Sequence, residues 1–140
     1  MITPSNPQYT DGEEDLLLDA ECLLEAGRIE QAESSFDHAL SRYAQALEIF
    51  TALEYTKGIT EVLFEIGRTH GDRGEFQESV ERMKKALEMT LEEGLLPLRA
   101  KILHGLGGSH QMSGDLEQAL GHYSQALKIH REIGDQGSEA

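Results

Sequence analysis

Slid against itself by 40 positions, this sequence aligns as three copies without a gap. Leu23, Leu63 and Leu103 share one column, Ala26, Ile66 and Leu106 another, and Gly27, Gly67 and Gly107 the next. Ser34, Gly74 and Gly114 follow, then Phe36, Phe76 and Leu116, then Ala39, Ser79 and Ala119. Tyr43, Met83 and Tyr123 coincide, as do Ala46, Ala86 and Ala126, with Leu47, Leu87 and Leu127 beside them. A fixed period of about 20 to 50 residues marks stacked units that bury their apolar faces only against one another.

Each copy reads as two helices. In the third, Ile102, Leu103, Leu106 and His110 recur at helical spacing after Pro97, which suits a first turn. Gly114 and Asp115 break that helix, and Asp115 can cap the next. Leu116, Ala119, Leu120, Tyr123, Ala126 and Leu127 then mark a second amphipathic face that ends near Gly134. Gly107, Ala119 and Ala126 let the two helices approach closely while Tyr123 fills the gap. There is no β-like alternation, so the expected class is all-α. The copies span about 15–54, 55–94 and 95–134, within one domain of about 15–136. Residues 1–14 are expected to be disordered or a short cap. Residues 135–140 are expected to be a tail or the opening of a missing helix, which would make the chain the first part of a longer array.

The pattern resembles the tetratricopeptide repeat, in its longer variety with a period near forty. That family's signature is a Leu-Gly pair in the first helix, a glycine before the turn, an aromatic, and then Ala, aromatic, Ala in the second helix. Copy three supplies Leu106-Gly107, Gly114, Leu116, Ala119, Tyr123 and Ala126. Copy two supplies Ile66-Gly67, Gly74, Phe76, Ser79, Met83 and Ala86. Copy one supplies Ala26-Gly27, Ser34, Phe36, Ala39, Tyr43 and Ala46, without the turn glycine. The family's tryptophan is replaced by Leu23, Leu63 and Leu103, and its late tyrosine by Glu30, His70 and His110. Copy one also admits a rival register, with the turn at Gly27 and a longer second helix reaching about Glu54. The gap-free register, with Ser34 or Ser35 capping the second helix, is preferred because it matches both helices of all three copies.

The resemblance implies a right-handed superhelix, an α-solenoid of three helix-turn-helix repeats whose first helices line a concave groove. It implies a non-catalytic adaptor or scaffold that binds a segment of a partner protein there. Carried over position by position, the groove residues are Glu21, Leu24, Arg28, Gln31 and Ala32 in copy one, Glu61, Phe64, Arg68, Gly71 and Asp72 in copy two, and Lys101, His104, Gly108, Gln111 and Met112 in copy three. Arg28 and Arg68 occupy equivalent positions and can grip carboxylates in bidentate fashion, with Phe64 and Leu24 giving apolar contact. An acidic segment is therefore one expected partner. Equally, Glu25 and Glu65 stand three residues before these arginines and can pair with them on the same helices. The family's chaperone-tail clamp is matched only at Lys101, which speaks against chaperone-tail binding.

Charge narrows the remaining classes. The 140 residues hold 26 acids and 12 bases, a formal net charge of −14, which repels nucleic acid and anionic membranes alike. One cysteine, Cys22, allows no intrachain disulfide. The opening residues lack a basic segment and a long apolar run, so the expectation is a soluble, cytoplasmic protein. Six histidines are present, but none pairs at the four-residue spacing that sets two ligands on one helical face, and no metal or cofactor is expected. His104 alone faces the expected groove, where it would make binding sensitive to pH. No phosphate loop or nucleophile elbow occurs, so no catalytic residue is assigned. Two other readings stay open: self-assembly as a homodimer through Leu120, Leu127, Ile129 and Ile133 on the last helix, and a peptide-sensing regulatory domain of a larger protein.

Overall fold

The computed structural model describes residues 8–138, and all regular structure among them is helical. The helices are α1 (Asp11–Ala32), α2 (Phe36–Ala52), α3 (Thr56–Asp72), α4 (Phe76–Glu93), α5 (Leu96–Met112) and α6 (Leu116–Ser138). A capping box starts α1: the Thr10 hydroxyl accepts from the Glu13 amide at 3.1 Å, and the Glu13 carboxylate accepts from the Thr10 amide at 3.0 Å. Asp11, Glu13 and Glu14 then sit where the helix dipole favours negative charge. Residues 11–14 therefore belong to α1, which corrects the expectation of a disordered or capping segment there; residues 1–7 lie outside the described residues. At the other end α6 runs to Ser138 instead of stopping near Gly134, because Gly134 does not take the left-handed conformation that would end it. The tail expected at 135–140 is helical as far as 138, and 139–140 lie outside the described residues.

The turns follow the same period as the sequence. Ser34, Gly74 and Gly114 stand at φ 62°, 80° and 91°. In each case the next amide reaches back five residues: Ser35 to the Glu30 carbonyl, Glu75 to His70 and Asp115 to His110, all at 2.8 Å. This closure satisfies carbonyls that a helix end leaves open. Glu54 and Gly94, between copies, also have positive φ, at 53° and 63°. The gap-free register is thus the one adopted, and the Gly27 turn is not formed. Ser35 stands at the α2 N-cap without a side-chain hydrogen bond, whereas Asp115 accepts from the Gln118 amide at 3.2 Å.

By its contacts the chain divides between Val62 and Leu63 into two units. In the first, α1 packs on α2 through Gly27, where an added Cβ would overlap the ring of the fully buried Tyr43. The Tyr43 hydroxyl donates to the buried Gln31 side chain at 2.7 Å. Phe50 lies against Gly58 in the same manner. In the second unit, a Cβ at Gly107 would fall 2.6 Å from the Tyr123 ring, and one at Gly67 would fall 2.8 Å from Met83. The Tyr123 hydroxyl donates to Gln111 at 2.8 Å. Ala100, Leu103, Ala126 and Ile129 form a core there, with Leu87, Leu96 and Ile133 packed against it. Ile129 is therefore a core residue and Ile133 a partly buried one packed against that core, which leaves less of either for the expected self-association face. Leu120 and Leu127 are exposed, at 66% and 50%.

The column that replaces the late tyrosine holds polar pairs. Glu30 accepts from Arg42 Nε at 2.8 Å, His70 Nδ1 lies 3.1 Å from Glu75, and His110 stacks on His122 with centroids 5.3 Å apart. The two stacked rings are 15° from parallel, so their in-plane lone pairs run side by side and do not converge on one metal ion. Burial, then the charges of His110 and Lys84, push His122 below its ordinary value of 6.5. The folded state thus prefers neutral His122, while the unfolded chain takes up the proton as pH falls through 6.5. His122 consequently subtracts stability below that pH and is neutral above it.

Two measurements check this picture. Ser34→Gly relieves a left-handed non-glycine residue, so thermal unfolding should show stabilisation by about 1 kcal/mol. Were Ser34 inside a continuous helix, the same change would destabilise by a similar amount. Separately, the melting temperature of His122→Phe relative to the parent should rise as pH drops below 6.5. A difference that does not change with pH would contradict the buried-neutral assignment.

Candidate functional site

In the second unit a cleft of about 770 Å3 opens among α3, α4, α5 and α6. Its lining includes Phe64, Arg68, Gly71 and Asp72 from α3, and Phe76 and Met83 from α4. Lys101, His104, Gly105, Gly108, Ser109 and Met112 come from α5, and His130 from α6. Helical spacing explains the first set: Phe64, Arg68 and Gly71 succeed one another at four and three residues and so share a face. Lys101, His104, Gly105, Gly108 and Met112 do the same on α5.

The floor is apolar and the rim is cationic. Phe64 and Met83 are 3% and 2% exposed. Lys101 Nζ lies 5.2 Å from the Phe64 ring centroid and Arg68 Cζ 5.9 Å from it, both within cation–π reach. The His104 ring leans on Tyr123 with centroids 5.2 Å apart. Deep in the cleft, the Ser79 and Ser109 hydroxyls bond to each other at 2.8 Å. Arg68 also donates to Glu65 at 3.1 Å; the glutamate is buried, but the arginine side chain keeps 47% of its surface open. Beside these bases the lining carries one acid, Asp72.

The expected groove residues divide into groups. Phe64, Arg68, Lys101 and His104 meet at the cleft. Gln111 is exposed and its side-chain oxygen is the acceptor for Tyr123, outside the lining. Leu24 and Gln31 lie in the first unit, where Leu24 is 4% exposed and Gln31 accepts from the Tyr43 hydroxyl. Arg28 bonds Glu25 on its own helix and reaches Glu61 at 3.4 Å. Two acids about one guanidinium leave the Arg28 neighbourhood less attractive to a carboxylate than the Arg68 rim.

Gly71, Asp72, Gly108 and Met112, also expected on the groove face, line the cleft, whereas Phe76, Met83, Gly105, Ser109 and His130 were not among the expected groove residues. The signal for several of these lining residues lies in the repeat columns. Gly71 stands where the other copies have Gln31 and Gln111, Met83 where they have Tyr43 and Tyr123, Gly105 where they have Glu25 and Glu65, and Gly108 where they have Arg28 and Arg68.

Among the described residues no three or more His, Cys, Asp or Glu gather as a metal site, and no helix is long and apolar enough to cross a membrane. The model of the tetratricopeptide repeat family matches residues 58–132. No curated protein matches the sequence. Among solved structures, the TPR domain of Arabidopsis FLU superposes with a TM-score of 0.74 at 15% identity, over 86% of this chain and 98% of that one. Aspartyl phosphate phosphatase F from Bacillus subtilis gives 0.79 at 16% identity, over 86% of this chain and 31% of that one. A Rap protein complexed with Competence and Sporulation Factor gives 0.78 at 21%, over 89% and 34%. This chain thus spans about a third of the length of the latter two. At such identities the likeness is one of fold. The family match covers more than half of the sequence, and the chain belongs to the tetratricopeptide repeat family.

Proposed function

We propose that this chain is a non-catalytic protein-interaction module that holds an acidic segment of a partner protein in the cleft of its second unit. The observation that carries the reading is the pair of cations at the rim of that cleft. Arg68 and Lys101 line it against Asp72, with Glu65 pairing Arg68 from behind, in a protein whose net charge is −14 with its histidines neutral. Side chains spaced along two neighbouring helices suit an extended segment, whose carboxylates meet Arg68 and Lys101 in turn. Membership of a repeat family that works by binding proteins supports the same reading. So does the Rap structure, in which a chain of similar fold is complexed with Competence and Sporulation Factor.

A second reading rests on the exposed apolar side chains Leu116, Leu120 and Leu127 of α6, at 62%, 66% and 50%. A second copy of the chain covering them would make a homodimer. Leu127→Asp dissociates such a dimer and leaves the cleft untouched, so light scattering at several concentrations separates the two readings.

The binding test uses a labelled glutamate-rich peptide and fluorescence anisotropy. Lys101→Glu reverses one rim charge without touching the Arg68–Glu65 pair. Affinity should fall about tenfold, with the remainder weakened further by salt. Unchanged affinity in Lys101→Glu and in Arg68→Gln would sink the proposal.

A further inference from the structure

Resting on that reading, we propose that the cleft is an anchor socket for one bulky aromatic side chain of the partner, flanked by acidic residues. Two features carry this: a cavity of about 770 Å3 is far larger than carboxylate contacts at a rim require, and its floor is Phe64 and Met83 beneath the cations Arg68 and Lys101. Pockets of this volume bury most of an apolar group while a few polar groups orient it. The rings of Phe64 and Phe76 and the thioethers of Met83 and Met112 are soft, polarisable surfaces suited to an aromatic face. A ring seated there comes within cation–π reach of the same two cations that pair with its neighbouring carboxylates.

The sequence columns explain where the room comes from. In copies one and three a tyrosine donates to a glutamine twelve residues earlier, Tyr43 to Gln31 and Tyr123 to Gln111. In copy two both partners change together, to Met83 and Gly71, so the polar clasp is absent and no unpaired hydroxyl or amide is left in the cavity. Gly105 is held by packing, since a Cβ there would fall 2.8 Å from Phe64 and 3.0 Å from Met83. Gly108 has no such reason. A Cβ added to it meets only the Tyr123 hydroxyl, at an ordinary 3.7 Å. Glycine inside a helix costs about 1 kcal/mol relative to alanine. At Gly108 that cost leaves empty space on the cleft wall, where copies one and two carry Arg28 and Arg68. The same position therefore supplies a cationic rim in one helix and an opening in the next.

The chain contains no tryptophan, so a peptide can carry the only indole in the sample. The probes are acetyl-Asp-Glu-Trp-Asp-Glu-amide, the same peptide with Ala for Trp, and acetyl-Lys-Lys-Trp-Lys-Lys-amide. The acidic Trp peptide should bind with a blue-shifted emission and about tenfold or more tighter than its Ala counterpart, measured by calorimetry. The basic peptide should not bind. Gly108→Gln should erase the preference for Trp over Ala. Gly108→Ala, which adds one methyl to an open helix position, should raise the melting temperature and weaken the preference. Equal binding of the two acidic peptides would overturn the socket and leave the acidic-segment reading standing. Binding of neither would overturn both. A Trp preference unmoved by Gly108→Gln would remove the cleft as its cause.

Discussion

The close approach of a glycine on the first helix of each copy to a large side chain on the second is the contact on which the rest of this structure depends. At Gly27, Gly67 and Gly107 any Cβ would enter the space held by Tyr43, Met83 and Tyr123. Without that atom the paired helices come together tightly enough for the alanines at 46, 86 and 126 to be buried. The turn that follows is left-handed in every copy, and its amides close the helix end. The same contact also makes the candidate site. Tyrosine at this position brings a hydroxyl that needs a partner, met by Gln31 or Gln111. Methionine needs none, so copy two can place glycine at 71, where an added Cβ would press on the Ser79 hydroxyl at 3.2 Å.

Electrostatics separates two arginines that the repeat makes equivalent. Arg28 and Arg68 each pair with the glutamate three residues earlier. Arg28 also meets Glu61, whereas Arg68 stands near Lys101 along one cleft lining and over the Phe64 ring. The Glu25 partner of Arg28 is exposed, whereas the Glu65 partner of Arg68 is buried. An incoming carboxylate therefore meets the open face of the Arg68 guanidinium and does not displace Glu65, whose charge would be left unpaired. The repeat thus supplies the same side chain twice, in two different electrostatic surroundings.

The period, the helix pairs and the turns were legible in the sequence because each rests on a backbone requirement. A close approach demands glycine, and a left-handed turn favours it; even Ser34, the wrong residue for its turn, was placed by the columns on either side. Depth was harder to read. Leu24 is buried like Phe64 in the next copy, whereas His104 in the same column is exposed. Gln31 is buried where Gln111 is exposed, since a few tens of degrees of helix rotation move a side chain from wall to core. Ile129 was assigned to a surface for the same reason, and it packs on Leu103 and Ala126. The cleft itself was written in the departures from the repeat, at Gly71, Met83, Gly105 and Gly108. Carrying over groove positions reached Gly71 and Gly108, but not Met83 on the second helix or Gly105 beside His104.

The most direct test of the central claim is a backbone amide NMR titration of the chain with the glutamate-rich peptide. The cleft account predicts shift changes concentrated on Phe64, Arg68 and Gly71 of α3 and on Lys101, Gly105 and Gly108 of α5. Changes gathered instead around Leu120 and Leu127, or on α1 and α2, would contradict it.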